Sequence, residues 1–267
     1  MKIFLNSKIY ETDSHTLKAL KAELKDDSEI VILNGFACSD DEQFKENDEI
    51  FLIKKGKKLT EETLENLRKS RNSPFINERL QNAKVAICGL GGLGSNVAIA
   101  LARLGIGELF LIDFDIVEPS NLNRQNYSIK HLYMPKTQAL KDQIHEINPF
   151  AKVRILNEKI TSENIVEILK NESIICECFD NAVAKAMLIN AVAENFSDKF
   201  LVCASGMAGF GSSNEIKTMK FGSRVYICGD LKSAAAKGMG LMSPRVMICA
   251  GHQVNMVLRI ILNEFGV

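Results

Sequence analysis

Residues 84–113 constrain the fold more than any other stretch of this 267-residue chain. The apolar run Val85-Ala86-Ile87-Cys88 reads as a buried strand and leads straight into Gly89-Leu90-Gly91-Gly92-Leu93-Gly94. Val97, Ala98, Leu101 and Leu104 follow at helical spacing, and a second apolar run from Glu108 ends at Asp113. Glycines between strand and helix, with an acidic residue about 20 positions on, form the nucleotide-binding layout of a Rossmann unit. Such glycines let the backbone approach a phosphate, and the helix start aims its N–H groups at the anion. They would equally serve tight strand–helix packing. Asp113 is placed to accept hydrogen bonds from ribose hydroxyls, or else to cap the loop that follows its strand.

The alternation continues downstream. Strands are expected at 84–88, 108–112, 152–156, 173–178 and 200–205, and helices at 92–104, 136–147, 162–170 and 181–196. Repeated βα units call for an α/β fold, Rossmann-like, with a mostly parallel sheet and helices on both faces. In the tail, Ile216–Met219 and Val225–Cys228 read as short strands, and Ser243-Pro244 opens a last helix.

Residues 1–58 read as a separate module. Lys2–Asn6 and Ile9-Tyr10 suggest a hairpin, and Leu17, Leu20 and Leu24 have helical spacing with Ser14 or His15 as cap. Glu29–Leu33 and Glu49–Ile53 read as strands, with the turn signal Asn34-Gly35 between them. This is the order of a small β-grasp, or ubiquitin-like, fold. Lys54-Lys55-Gly56-Lys57-Lys58 is a solvated exit, and Thr60–Lys69 a linking helix capped by Thr60, with Glu61 and Glu62 at its positive end. The expected division is a module over 1–58, a linking helix over 59–80 and a nucleotide-binding domain over 81–267.

Charge narrows the choice of partner. Lys plus Arg and Asp plus Glu number 33 each, so no global field favours nucleic acid or an anionic membrane. Val246–Leu262 is apolar but interrupted by His252, Gln253, Asn255 and Arg259, which makes it a core or interface helix. Met1–Asn6 is too short an apolar run for a targeting segment, and the seven cysteines, odd in number and mostly within apolar runs, suit reduced thiols; a cytoplasmic protein is expected. No C-x-x-C pair occurs, the four histidines fit no ligand spacing, and no zinc is expected. Ala204-Ser205-Gly206 is no nucleophile elbow.

The polar residues around the glycine loop exceed what a nicotinamide cofactor needs. Ser120, Asn121, Arg124 and Gln125 follow the acidic strand end, near the carboxyl edge where ligands bind in such sheets. Asp115 is a further candidate for the same region. Lys136 starts a helix, a position where a cation opposes the dipole unless an anion shares the site. Asp180-Asn181 closes another strand, and one carboxylate beside nucleotide phosphates is a normal Mg²⁺ arrangement. Two cations, an amide and a carboxylate suggest chemistry on phosphates.

Residues 89–125 (GLGGLGSNVAIALARLGIGELFLIDFDIVEPSNLNRQ), Met134-Pro135-Lys136, Ile147-Asn148-Pro149 and Cys178-Phe179-Asp180-Asn181 resemble the ThiF/MoeB group of ubiquitin-activating-enzyme-like adenylyltransferases over about 80–265. The resemblance implies binding of ATP and Mg²⁺ and adenylation of the C-terminal Gly-Gly carboxylate of a sulfur-carrier protein, most plausibly in thiamine biosynthesis. It implies that Gly89, Gly91 and Gly92 touch phosphate or adenosine, that Asp113 binds ribose, and that Asn121, Arg124 and Lys136 contact the phosphates. Ser120, Gln125, Asp115 and Asn181 line the same pocket, and Asp180 binds magnesium; Arg124, Lys136 and Asp180 are the catalytic set. An arginine upstream of the first strand, Arg71 in preference to Arg79, would reach the γ-phosphate across a homodimer.

Residues 1–58 resemble the carrier itself, a ThiS-like module, but run on past Ile53 without a Gly-Gly terminus, so a structural or docking role is expected. Cys228 lies near the position of a sulfur-handling loop cysteine in relatives, yet within a strand pattern. An NAD-dependent oxidoreductase would explain Asp113 but leave Arg124, Lys136 and Asp180 idle. A related enzyme acting on a small molecule or another carrier, or an ATP-binding scaffold without turnover, are the remaining alternatives; a tRNA substrate fits the neutral charge poorly.

Overall fold

Two units, Met1–Glu78 and Arg79–Val267, make up the protein, and the computed structural model describes residues 1–56 and 60–267, without the side chains of 62 and 63. In the first unit β1 (Lys2–Leu5), β2 (Lys8–Glu11), α1 (Leu17–Leu24), β3 (Ile30–Leu33), β4 (Phe36–Cys38) and β5 (Glu49–Ile53) precede α2 (Glu61–Lys69). The sheet order is β2-β1-β5-β3-β4, with β1 and β5 parallel and the other pairs antiparallel. Period-two alternation sends Ile3, Val31, Ile50 and Leu52 to the face covered by Leu17 and Leu20 of α1, which closes one apolar core.

Three sequence expectations change here. The α1 cap is Thr16, whose hydroxyl accepts from the Ala19 amide at 3.2 Å, because Ser14 is engaged with Glu23 instead. Asn34-Gly35 turns the chain from β3 into β4, not into β5; both residues have positive φ, 50° and 86°, as a two-residue hairpin turn of this hand requires. Strand β4 escaped notice because it is three residues long and mostly exposed. Lys57 and Lys58 of the expected basic exit lie outside the described residues.

A short helix α3 (Asn77–Asn82) precedes the second unit's sheet. There β6 (Lys84–Cys88), α4 (Gly92–Leu104), β7 (Glu108–Ile112), α5 (Lys136–Ile147), β8 (Lys152–Leu156), α6 (Ile165–Leu169), β9 (Ile174–Glu177), α7 (Ala182–Asn195) and β10 (Phe200–Ala204) alternate. β11 (Lys217–Lys220), β12 (Val225–Gly229) and α8 (Ser243–Ile261) complete it. The order is β11-β12-β10-β9-β6-β7-β8, parallel throughout except for edge strand β11. Central strands are apolar over most of their length because both faces are covered, the exceptions being Lys84 at the start of β6 and Glu177 at the end of β9. Leu169 of α6 and Leu188 and Val192 of α7 pack with Cys88, Phe110 and Cys203 on one face; α4, α5 and α8 cover the other. Helix α6 is shorter than expected, since the Asn164 side chain accepts from the Thr161 amide at 2.8 Å and holds that stretch as a turn. No helix among the described residues is long and apolar enough to cross a membrane.

Candidate functional site

Strand order reverses between β6 and β9: β7 and β8 follow on one side, β10 and β12 on the other. Ligands in open α/β sheets bind at such a switch point, outside the carboxyl ends of the strands. The glycine loop leaves β6 there and the Asp180 turn leaves β9 beside it. Cys178 donates to the Cys88 carbonyl at 2.9 Å, and a Cβ on Gly89 (φ +90°) would stand 3.0 Å from the Cys178 carbonyl oxygen. On Gly94 it would stand 1.8 Å from the Gly89 carbonyl oxygen. These two glycines serve packing. Gly91 is more open, its nearest neighbour being Gln125 Nε2 at 3.8 Å from a notional Cβ, and as N-cap of α4 it supplies no side chain to the helix N–H groups.

Buried Asp113 takes up the capping role, one of the two that its sequence position allows. Its Oδ2 accepts from the Leu90 amide at 2.5 Å and Oδ1 from the Asp115 amide at 2.8 Å, so it clamps the glycine loop and caps its own. Three residues that sequence inspection overlooked complete the brace. Tyr127 donates to the Leu90 carbonyl at 2.8 Å, and burial pushes its hydroxyl pKa up, which keeps it a donor. Ser95 donates to the Gly91 carbonyl at 2.7 Å and accepts from Asn126 at 2.9 Å, while Asn96 donates to the Gly92 and Arg124 carbonyls at 2.7 and 3.2 Å. Ser95 and Asn96 directly follow the glycine motif on the first turns of α4, the signal that could have found them.

This brace brings Arg124 over the loop: its Cγ lies 3.6 Å from a notional Cβ of Gly92. Arg124 Nη1 donates to the Ser120 carbonyl and to Asn123 Oδ1 at 3.1 and 2.8 Å, but its buried Nε has no hydrogen-bond partner among the described residues. Gln125 Oε1 and Thr137 Oγ1 are likewise buried and unpartnered. Buried polar atoms left this way call for an explanation such as a ligand or water, and a donor on Arg124 with an acceptor on Gln125 beside the glycine loop suit a nucleotide's phosphates and hydroxyls. Buried Asn121 accepts from the Glu118 amide at 3.0 Å and so shapes the loop; Ser120 is exposed and lies 3.5 Å from Glu118. Lys136, buried at the first position of α5, finds its anion in Asp115, at 2.9 Å. Asp115, expected to line the nucleotide pocket, is therefore the counter-ion of Lys136.

Asp180 is exposed and has no hydrogen-bond or ion-pair partner among the described residues. An exposed carboxylate at the carboxyl end of a strand has the chemistry to hold Mg²⁺, which keeps most of its waters. Asn181 accepts from the Val183 and Ala184 amides at 2.9 and 3.1 Å, so its side chain is taken up in capping α7. Arg71 belongs to the other unit, where it reaches the Gly35 carbonyl at 3.5 Å; Arg79 donates to the Leu262 carbonyl at 3.1 Å. Cys228 is buried, and desolvation pushes its thiol up to about 11, which leaves almost no thiolate at neutral pH.

Two buried ion pairs flank the site, and neither was read from sequence. Glu177 at the end of β9 is fully buried and holds Lys185 of α7 at 2.9 and 3.0 Å. Asp230 pairs with Arg245 at the start of α8. A carboxylate inside the apolar run of β9 was the available signal for the first, since such a group needs a partner.

The ThiF family model matches residues 65–266 and a ThiS-like ubiquitin model matches residues 1–56. The chain belongs to the ThiF family. A molybdopterin-synthase adenylyltransferase of Haemophilus influenzae is 38% identical over 112 residues, 42% of this chain and 46% of that protein. A probable adenylyltransferase/sulfurtransferase, MoeZ, of Mycobacterium tuberculosis is 34% identical over 115 residues, 43% of this chain and 29% of that protein. The chain thus spans less than half the length of the curated relatives it matches. The structure of the E. coli tRNA N6-threonylcarbamoyladenosine dehydratase TcdA in complex with ATP superposes with a TM-score of 0.66 over 74% of this chain and 93% of that one, at 22% identity, a likeness of fold.

Proposed function

We propose that this ThiF-family chain uses ATP to adenylate the C-terminal carboxylate of a small ThiS-like sulfur-carrier protein ending in Gly-Gly, in thiamine biosynthesis. The observation that carries the reading is the gathering at one switch point of an open glycine loop with Arg124 and Gln125 against it, each bearing a buried polar atom without a partner among the described residues. The attacking carboxylate is ionised at neutral pH, so the step needs no general base. Repulsion between that anion and the polyphosphate is the obstacle, and fixed positive charge is the remedy. A carboxylate oxygen attacks the α-phosphorus, the bond to the bridging oxygen breaks, and pyrophosphate leaves while the carrier keeps AMP as a mixed anhydride. The uncapped start of α4, Arg124 and Lys136 take up the charge on the phosphates; Asp113 and Gln125 face the ribose. Bound Mg²⁺ would add charge neutralisation, and Asp180 is the residue to hold it.

Arg71 of a second copy is proposed to complete the site in a homodimer, a state suited to exposed apolar side chains such as Phe210, Met242 and Met247. The names of the curated relatives favour a second reading, a carrier of molybdopterin synthase. ATP–pyrophosphate exchange decides between them, run with a thiamine-type carrier, a molybdopterin-type carrier and none. Exchange that needs the thiamine-type carrier and is lost in Arg124→Ala and Asp180→Ala is the expected outcome. ATP binding without exchange on either carrier would sink the adenylation reading and leave a scaffold.

A further inference from the structure

We propose that the buried Glu177–Lys185 pair sets the turn that presents Asp180, which makes Lys185 a positioning residue for metal–nucleotide binding. This rests on the reading of Asp180 as the magnesium ligand. Glu177 is the last residue of β9, and its Oε1 accepts from the Phe179 amide at 2.7 Å, one residue before Asp180. Lys185, on the second turn of α7, spans both Glu177 oxygens and donates to the Ala204 carbonyl at 2.9 Å, tying the turn to the end of β10. Asn181 caps the same helix on the Val183 and Ala184 amides. Strand end, turn and helix start are thus pinned on both sides of Asp180, and Asp180 alone among the hydrogen-bonding side chains of the turn has no partner among the described residues. The clamp leaves its carboxylate unengaged.

Stability does not account for the pair. Buried Glu177 bears the full desolvation cost of a carboxylate, and burial pushes its pKa up against the pull of Lys185. The surrounding strand positions are apolar, with Cys88, Cys176 and Cys203 buried nearby. A hydrophobic replacement of a buried ion pair is commonly no less stable. What a hydrophobic pair would not supply is the acceptor for the Phe179 amide.

ATP affinity measured by calorimetry, with Mg²⁺ and with EDTA, tests the assignment. Lys185→Met alone strands a buried carboxylate, so the decisive variant is Glu177→Leu with Lys185→Met, beside Lys185→Arg and Asp180→Ala. The Mg²⁺-dependent gain in affinity should disappear in Asp180→Ala and fall about tenfold in the double variant, on the scale of lost outer-shell contacts to a metal ligand. EDTA affinity should stay unchanged, and Lys185→Arg, which keeps the charge, should retain the gain. A double variant that keeps the full gain while Asp180→Ala loses it would reduce the pair to a structural contact. Failure of the double variant to fold would do the same, since the pair would then hold the sheet. A full gain in Asp180→Ala would instead remove the reading of Asp180 itself.

Discussion

At the scale of single residues, charges in this protein have partners that their sequence positions hide. Lys136 sits where a helix dipole repels it, and Asp115 offsets that charge at 2.9 Å. A nucleotide phosphate would have to compete with Asp115 for the ammonium. Asp115→Asn should therefore lower the KM for ATP severalfold in pyrophosphate exchange, with kcat retained; a raised KM would restore Asp115 as a direct nucleotide contact. Asp230 offers a test by pH. Burial raises its carboxyl, but the Ser233 hydroxyl, the Ser233 and Lys232 amides and Arg245 outweigh that and bring it to about 2. Because the folded value lies below the unfolded one, of about 3.9, the stabilisation is complete above that value and is lost as pH falls towards 2. Urea unfolding should show Asp230→Asn less stable by about 2 kcal/mol at pH 6, the gap narrowing below about pH 4. A gap independent of pH would mean that the carboxylate's charge is not what matters.

At the scale of elements, the glycine motif separates into two tasks. Gly94 lets α4 lie on the Gly89 carbonyl, with 1.8 Å to a notional Cβ, whereas the same atom on Gly91 meets nothing nearer than 3.8 Å. Gly94→Ala should cost about 3 kcal/mol, the upper end of the usual range for overpacked cores, and depress the melting temperature sharply. Gly91→Ala should melt near the wild type and weaken ATP. Equal losses of stability would refute the division. The loop's strand-then-helix setting was plain in sequence, because both elements announce themselves by period and apolar content. Its brace by Ser95, Asn96 and Tyr127 was not, since each bond links residues between 4 and 37 positions apart.

At the scale of the molecule, the chain divides after Glu78, so that α2 belongs with the N-terminal sheet, where it packs on β5. Residues 79–267 expressed alone should melt cooperatively. A chain begun at residue 59 retains α2 without its sheet and should show an extra, protease-sensitive segment. If 79–267 fails to fold while 59–267 folds, the unit boundary lies upstream. The sequence alone places a module boundary near residue 58, because the ladder of strands ends there and packing across a polar stretch leaves no periodic trace.

Local signals alone determined much of this protein. The alternation of strands and helices, the glycine loop, the loop arginine and the strand-end acids were all legible, because hydrophobic period and turn chemistry act over a few residues. Tertiary structure decided the rest: the pairing of Asp115 with Lys136, the burial of Glu177 against Lys185, and the placing of β9 beside β6, which brings Cys178 and Phe179 of the Asp180 turn against Gly89 of the glycine loop. Those outcomes depend on which strands become neighbours. Register and crossover set that choice over separations of tens of residues, where no short-range pattern in the chain can record it.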